Sequence, residues 1–170
     1  EANDAGVWAL TLGYPATTAS YTLQRALGYR AAELVVVGDL KRTSPGDKLG
    51  AIETVRDDLA VAAAVDEAYE AGLRALVVCI ERASYGCSEV DLVAARERVD
   101  ALREHQGRAL PLVAKDLYID PLQIARAACL GADAVLLIAA VAAAELPELM
   151  DTCTLLGIEA VVEVHTRDEI

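Results

Sequence analysis

Two lysines and a glutamate stand at the ends of otherwise oily segments. Lys41 lies two positions after Asp39, just beyond the apolar run 34–37. Lys115 follows the run 110–113, and Glu163 lies in the run 160–164 with His165 two residues further on. Residues two apart on an extended chain share a face, so Asp39 and Lys41 form one same-side pair and Glu163 and His165 another. A charge is costly to bury alone, so such groups should pair with one another or face a cleft. Ammonium groups flanked by carboxylates stay protonated and donate protons in a dry pocket. The competing reading is that each charge simply emerges into a loop. It is weaker for the set, because strand-terminal charge recurs on three segments.

The elements that must position these groups show a rhythm. Apolar runs at 34–37, 75–80, 110–113, 134–138 and 160–164 are rich in Val, Leu and Ile and do not alternate with polar residues. That is the pattern of strands buried on both faces. Between them the sequence predicts helices over 55–71, 88–104, 121–130 and 141–156, each ending near Gly72, Gly107, Gly131 or Gly157. Units of roughly 30 residues have a strand–helix–strand spacing, which implies parallel strands with right-handed crossovers. Two α/β architectures compete: an open doubly wound sheet and a (β/α)₈ barrel of the TIM type, here partial with about five strands. The loop after the first run, Thr43-Ser44-Pro45-Gly46-Asp47-Lys48, contains neither G-x-G-x-x-G nor a P-loop. That absence favours the barrel. Residues 1–33 read as an N-terminal arm with a helical turn or two at 24–32, and 34–170 as the barrel domain.

Composition narrows the functions. The 170 residues carry 15 basic and 27 acidic side chains, a formal charge of −12, which argues against a nucleic-acid surface. A hydrophobic fraction of 55% excludes intrinsic disorder. Cys79, Cys87, Cys129 and Cys153 show no C-x-x-C or paired His spacing, so neither a zinc site nor a disulfide framework is signalled. They read as small hydrophobes of a reducing compartment. The most apolar stretch, 134–144, is too short to span a membrane, and no signal peptide is visible in a chain that starts at Glu1. His105 reads as a solvated helix-end residue and Asp57-Asp58 as complementing a helix dipole. His165 reads either as a site residue or as a structural hydrogen-bonding group.

At this point the residues resemble a known family. Asp39-Leu40-Lys41-Arg42-Thr43-Ser44-Pro45 looks like the E-x-K-x-x-S-P signature of indole-3-glycerol-phosphate synthase, a barrel enzyme of tryptophan biosynthesis. Ala68-Tyr69-Glu70-Ala71-Gly72 resembles its A-Y-E-x-G. Lys115-Asp116-Leu117-Tyr118-Ile119-Asp120-Pro121-Leu122-Gln123-Ile124 resembles the highly specific K-D-F-x-I-D-P-x-Q-I. The segments 131–138 and 159–165 fit its fourth and fifth strands, and Ser84-Tyr85-Gly86-Cys87-Ser88 resembles its Y/F-G-G-S loop.

The resemblance implies a lyase acting on a phosphorylated anilino-ribulose: the ring closes onto a carbonyl carbon, carbon dioxide leaves, then water leaves. It would make Lys115 the general acid, Lys41 the partner of the substrate carboxylate, and Glu163 the acid/base group of the later steps. Asp39, Ser44, Tyr85 and Leu117 would contact substrate. No metal and no organic cofactor is implied. The sequence departs from the family in four places. Asp39 replaces Glu, shortening the reach by roughly 1.5 Å. Ala114 replaces an Arg-type residue, Leu117 a Phe, and Gly46 a hydroxyl residue. The family's Asn on the sixth strand and Glu-Ser on the seventh have no counterpart here. An unclosed parallel sheet exposes two edges, so a missing C-terminal segment or a partner chain should cover them. The alternative is a catalytically inactive, barrel-derived structural subunit. The pathway implies bacterial cytoplasm or plastid stroma.

Overall fold

The computed structural model describes residues 22–28, 34–46 and 51–169. A short helix α1 (Thr22–Leu27) precedes strand β1 (Val37–Leu40) and a hairpin of β2 (Thr43–Pro45) and β3 (Ile52–Thr54). Four helix–strand units then alternate: α2 (Val61–Glu70), β4 (Ala75–Cys79), α3 (Glu89–Gln106), β5 (Leu112–Lys115), α4 (Pro121–Cys129), β6 (Ala134–Ile138), α5 (Leu146–Leu156) and β7 (Glu159–Glu163). A 3₁₀ turn, Arg167–Glu169, follows.

The main sheet has the order β1-β4-β5-β6-β7, and every pairing in it is parallel. Apart from the inserted β2–β3 hairpin, each strand lies beside the next one in the chain. The strand-order reversal that a doubly wound sheet requires is absent among the described residues. Helices α2 to α5 all pack on one face. Val65, Leu92, Val99, Ile124 and Leu149 meet Leu76, Val78, Leu112, Ala114, Val135 and Leu137 of the strands. Each fully buried aliphatic side chain there contributes roughly 1.5–3 kcal/mol. Helices on one face and a sequential parallel order are the wall of a partial (β/α)₈ barrel.

The other face is the inner one. Ala75, Val113 and Ala134 pack there against Leu23 of α1, with Val77, Leu136 and Val161 alongside. Glu159, the first residue of β7, accepts the backbone N–H groups of Leu23 at 2.6 Å and Gln24 at 3.0 Å, which anchors α1 across the strand N-termini. Between α3 and β6, Asp133 accepts from the Leu112 N–H at 2.8 Å and from Arg96 at 3.1 Å. Gly131 (φ +94°) leads into this tie. A Cβ there would lie 2.5 Å from Arg96 Cγ, so only glycine lets the guanidinium stem cross the turn.

Several predicted boundaries move, for physical reasons. The strand expected at 34–37 is Val37–Leu40, the one expected at 110–113 is Leu112–Lys115, and the one expected at 160–164 is Glu159–Glu163. The expectation bounded strands by their apolar runs, whereas here the polar residues Asp39, Lys115 and Glu159 also belong to the ladders. Leu34, expected in a strand, is 93% exposed. The helix expected from 55 begins at Val61, because the N–H groups of Val55 and Arg56 donate to the Arg42 carbonyl. Asp57 and Asp58 therefore precede the helix rather than start it. The helix expected from 141 begins at Leu146, since Pro147 lacks an N–H and fits only a first turn. Of the turn expected at 24–32, residues 29–32 lie outside the described residues.

Candidate active site

Register places the predicted catalytic groups on one face. Partners across a parallel ladder point to the same side of the sheet. Asp39 pairs with Val77, Val77 with Val113, and Val113 with Ala134, all inner-face residues. Lys115 pairs with Cys79 on one side and Leu136 on the other. Leu136 pairs with Val161, two residues before Glu163. Lys41, Lys115 and Glu163 thus rise from the C-terminal ends of β1, β5 and β7 on the inner face, the end where parallel-sheet proteins place ligands.

Each ammonium has its own carboxylate. Lys41 Nζ lies 2.9 Å from Asp39 Oδ2, and Lys115 Nζ lies 3.9 Å from Glu163 Oε2. The hydrogen-bonded Asp39 carboxylate raises the Lys41 pKa above its ordinary value, against the opposing effect of burial. Tyr85 stands by both lysines, its ring centroid 5.5 Å from Lys115 Nζ. Cys79 lies buried in the wall beside Lys115, and burial pushes its thiol up to about 12, which makes it an inert floor rather than a nucleophile. The predicted resident charges are therefore brought together with Asp39 and Tyr85. Ser44 sits half-buried on β2 opposite Glu53, and Leu117 is exposed in the loop after β5. No hydrogen bond or ion pair among the described residues links those two side chains to the charged row.

Arg42 supports the mouth of β1, a role the sequence reading did not assign. Its guanidinium forks onto Asp91 at 2.8 and 2.9 Å and also donates to the carbonyls of Leu59 at 3.2 Å and Gly86 at 3.4 Å. The N–H groups of Arg42 and Thr43 both donate to the Tyr85 carbonyl, and the Thr43 hydroxyl donates to the Ser84 carbonyl at 2.8 Å. Gly86 (φ +66°) permits this approach, since a Cβ there would sit 3.3 Å from Arg42 Cβ. Asp91 closes the far side by accepting the Ser88 N–H at 2.7 Å in the capping box of α3. Ser88 followed by an acid three residues on was the legible signal for that box. Its second use, as the Arg42 partner, had none.

The family model for Indole-3-glycerol phosphate synthase matches residues 8–170. The chain belongs to the indole-3-glycerol phosphate synthase family. Proteins named indole-3-glycerol phosphate synthase from Parafrankia sp. (strain EAN1pec) and Rhodococcus jostii (strain RHA1) are 37% and 38% identical to it over 144 and 136 residues. Those alignments cover 83% and 79% of this chain but 48% and 45% of the relatives, so the chain spans about half the length of the curated relatives it matches. A rubisco-like protein from Alicyclobacillus acidocaldarius shares the fold, with a TM-score of 0.53 at 17% identity over 83% of this chain and 34% of that one. Among the described residues no helix is long and apolar enough to cross a membrane.

Proposed function

We propose that the barrel to which this chain contributes five strands converts 1-(2-carboxyphenylamino)-1-deoxyribulose 5-phosphate to an indole in tryptophan biosynthesis. The observation that carries the reading is the convergence of Lys41, Lys115 and Glu163 on one inner face, within a family-wide match. Lys115 protonates the ketone oxygen as the ring carbon that bears the carboxylate bonds to the carbonyl carbon. Lys41, kept charged by Asp39, holds the substrate carboxylate until carbon dioxide departs and its electron pair restores the ring. Glu163 then takes a ring-nitrogen or carbon proton while Lys41, freed of the departed carboxylate, gives a proton to the hydroxyl formed from the ketone, which leaves as water. Tyr85 and Leu117 flank the aromatic ring, and Ser44 borders the site from the hairpin. The sequence of steps is redox-neutral and balances without an organic cofactor or a metal.

The phosphate sits against strands not contained in these residues. A further stretch of chain or a partner pairs with the edge of β7 and completes the site. Residues 1–33 act as an arm and 34–170 as the barrel portion. A bacterial cytoplasm fits the bacterial relatives. The rival, an inactive structural subunit, draws no support from relatives that all carry the synthase name. The test is a fluorescence assay for indole formation from the anilino-ribulose substrate. Lys115→Ala should lower kcat by about 10²–10⁴. Undiminished turnover in that variant removes Lys115 as the acid.

A further inference from the structure

A single carboxylate at the open end of the sheet serves two partners through different oxygens. Glu163 Oε2 faces Lys115 Nζ at 3.9 Å, and Glu163 Oε1 lies 3.2 Å from His165 Nε2. The ammonium contact is at the outer limit of an ion pair. The imidazole nitrogen is the nearer of the two partners, at 3.2 Å against 3.9 Å, which puts it in the better place to restrain the rotation of the carboxylate. His165 is itself supported. Its backbone N–H donates to Glu169 Oε2 at 2.8 Å, and the Thr166 hydroxyl donates to the other Glu169 oxygen at 2.9 Å. The 3₁₀ turn at Arg167–Glu169 thereby pins the residue that carries the ring. Side-chain exposure climbs from 19% at Lys115 through 31% at Glu163 to 61% at His165, so the imidazole approaches the carboxylate from the solvent side.

We infer that His165 is a positioning residue: its Nε2–H holds Oε1 of Glu163 and thereby aims Oε2 at Lys115 and the space in front of it. The inference rests on the proposed role of Glu163 in the ring-closing reaction. A carboxylate free to swing about its terminal bond would meet its proton only part of the time, and small misplacements are costly to rate. His165 touches no reacting atom in this arrangement, so its loss should appear in turnover and not in substrate affinity.

The test uses the protein with its complete barrel. His165→Ala should lower kcat about tenfold with KM within about twofold, and His165→Gln, which keeps an N–H donor near the same point, should recover most of the loss. Unchanged kcat in His165→Ala overturns the inference, and so does a Gln variant no better than Ala. Lys115→Ala is run beside them. If it retains full turnover, the functional reading fails on its own account. A second readout does not depend on activity. The Nε2 nitrogen of His165, assigned by its absence in His165→Gln, should shift in the NMR spectrum on Glu163→Ala, which removes the acceptor, and stay still on Glu53→Gln. A resonance indifferent to Glu163→Ala overturns the contact itself.

Discussion

Lys41, at the mouth of the first strand, stands in a mesh of backbone and guanidinium bonds, whereas Glu163, at the mouth of the last, rests on two side-chain contacts. At β1 the chain turns back as a hairpin, and Arg42 ties that hairpin to the loop carrying Tyr85 and to the start of α3. At β7, among the described residues, Lys115 and His165 face the carboxylate, and the following turn holds His165. Both strands are edges of the five-stranded sheet, so the difference lies in what covers their mouths. The β1 mouth is enclosed by the hairpin and by the loop and helix that follow β4, while the β7 mouth is bordered, among the described residues, by the short turn at Arg167–Glu169. The described residues thus hold the two mouths with unequal stiffness.

Removing the Arg42 guanidinium should expose that contrast most strongly. Asp91 is buried and would lose the guanidinium that pairs with it, so Arg42→Ala should cost about 2–4 kcal/mol in urea unfolding. Arg42→Lys should recover only part of it, because an ammonium cannot fork onto both carboxylate oxygens and reach two carbonyls as well. Losses of the same size on removing His165 would break the comparison.

Acid should weaken the same mouth selectively. Burial alone would raise the Asp91 pKa, but the hydrogen bonds from Arg42 and Ser88 outweigh it, and the net value is lowered. A carboxylate whose folded pKa is depressed adds stability that is fully present above its unfolded value, near 3.9, and drains away as pH falls through the folded value. The gap in melting temperature between the wild type and Asp91→Asn should therefore be constant near neutrality and close below about pH 4. A gap that persists at lower pH would mean that shape, not charge, makes the clamp. Asp116 provides the opposite sign. Burial raises its pKa, so its charged form opposes folding above that value, and Asp116→Asn should not destabilise at pH 7.

The charged row was legible because short apolar runs ending in Lys or Glu are unusual and alternation fixes their side. The rhythm alone suits two architectures; the missing phosphate cradle favoured the barrel, and the sequential strand order with the helices gathered on one face bears that out. Arg42 stood in the quoted motif, yet its partners Leu59, Gly86 and Asp91 come from segments 17 to 49 residues away, which no local pattern reaches. The β2–β3 hairpin went unread because its strands are three residues each, too short for a period. Pro147 was a visible start signal for α5 that apolar continuity from 141 concealed.

Glu163→Gln should produce the smallest change in stability, and it sharpens the contrast most. Glutamine keeps the shape of the side chain and an oxygen that accepts from His165. What it loses is the charge facing Lys115 at 3.9 Å, between groups 19% and 31% exposed. Water and salt screen such a pair, so the variant should stay within about 0.5 kcal/mol of wild type in urea unfolding. The residual difference should vanish near 1 M salt, where the screening length falls to about 3 Å. Turnover should nevertheless collapse, because the amide can neither take nor return a proton. A group that the reaction needs and folding ignores is one kept for chemistry. If Glu163→Gln instead destabilised the protein as much as Arg42→Ala, the carboxylate would belong to the framework, and the two mouths would be held alike.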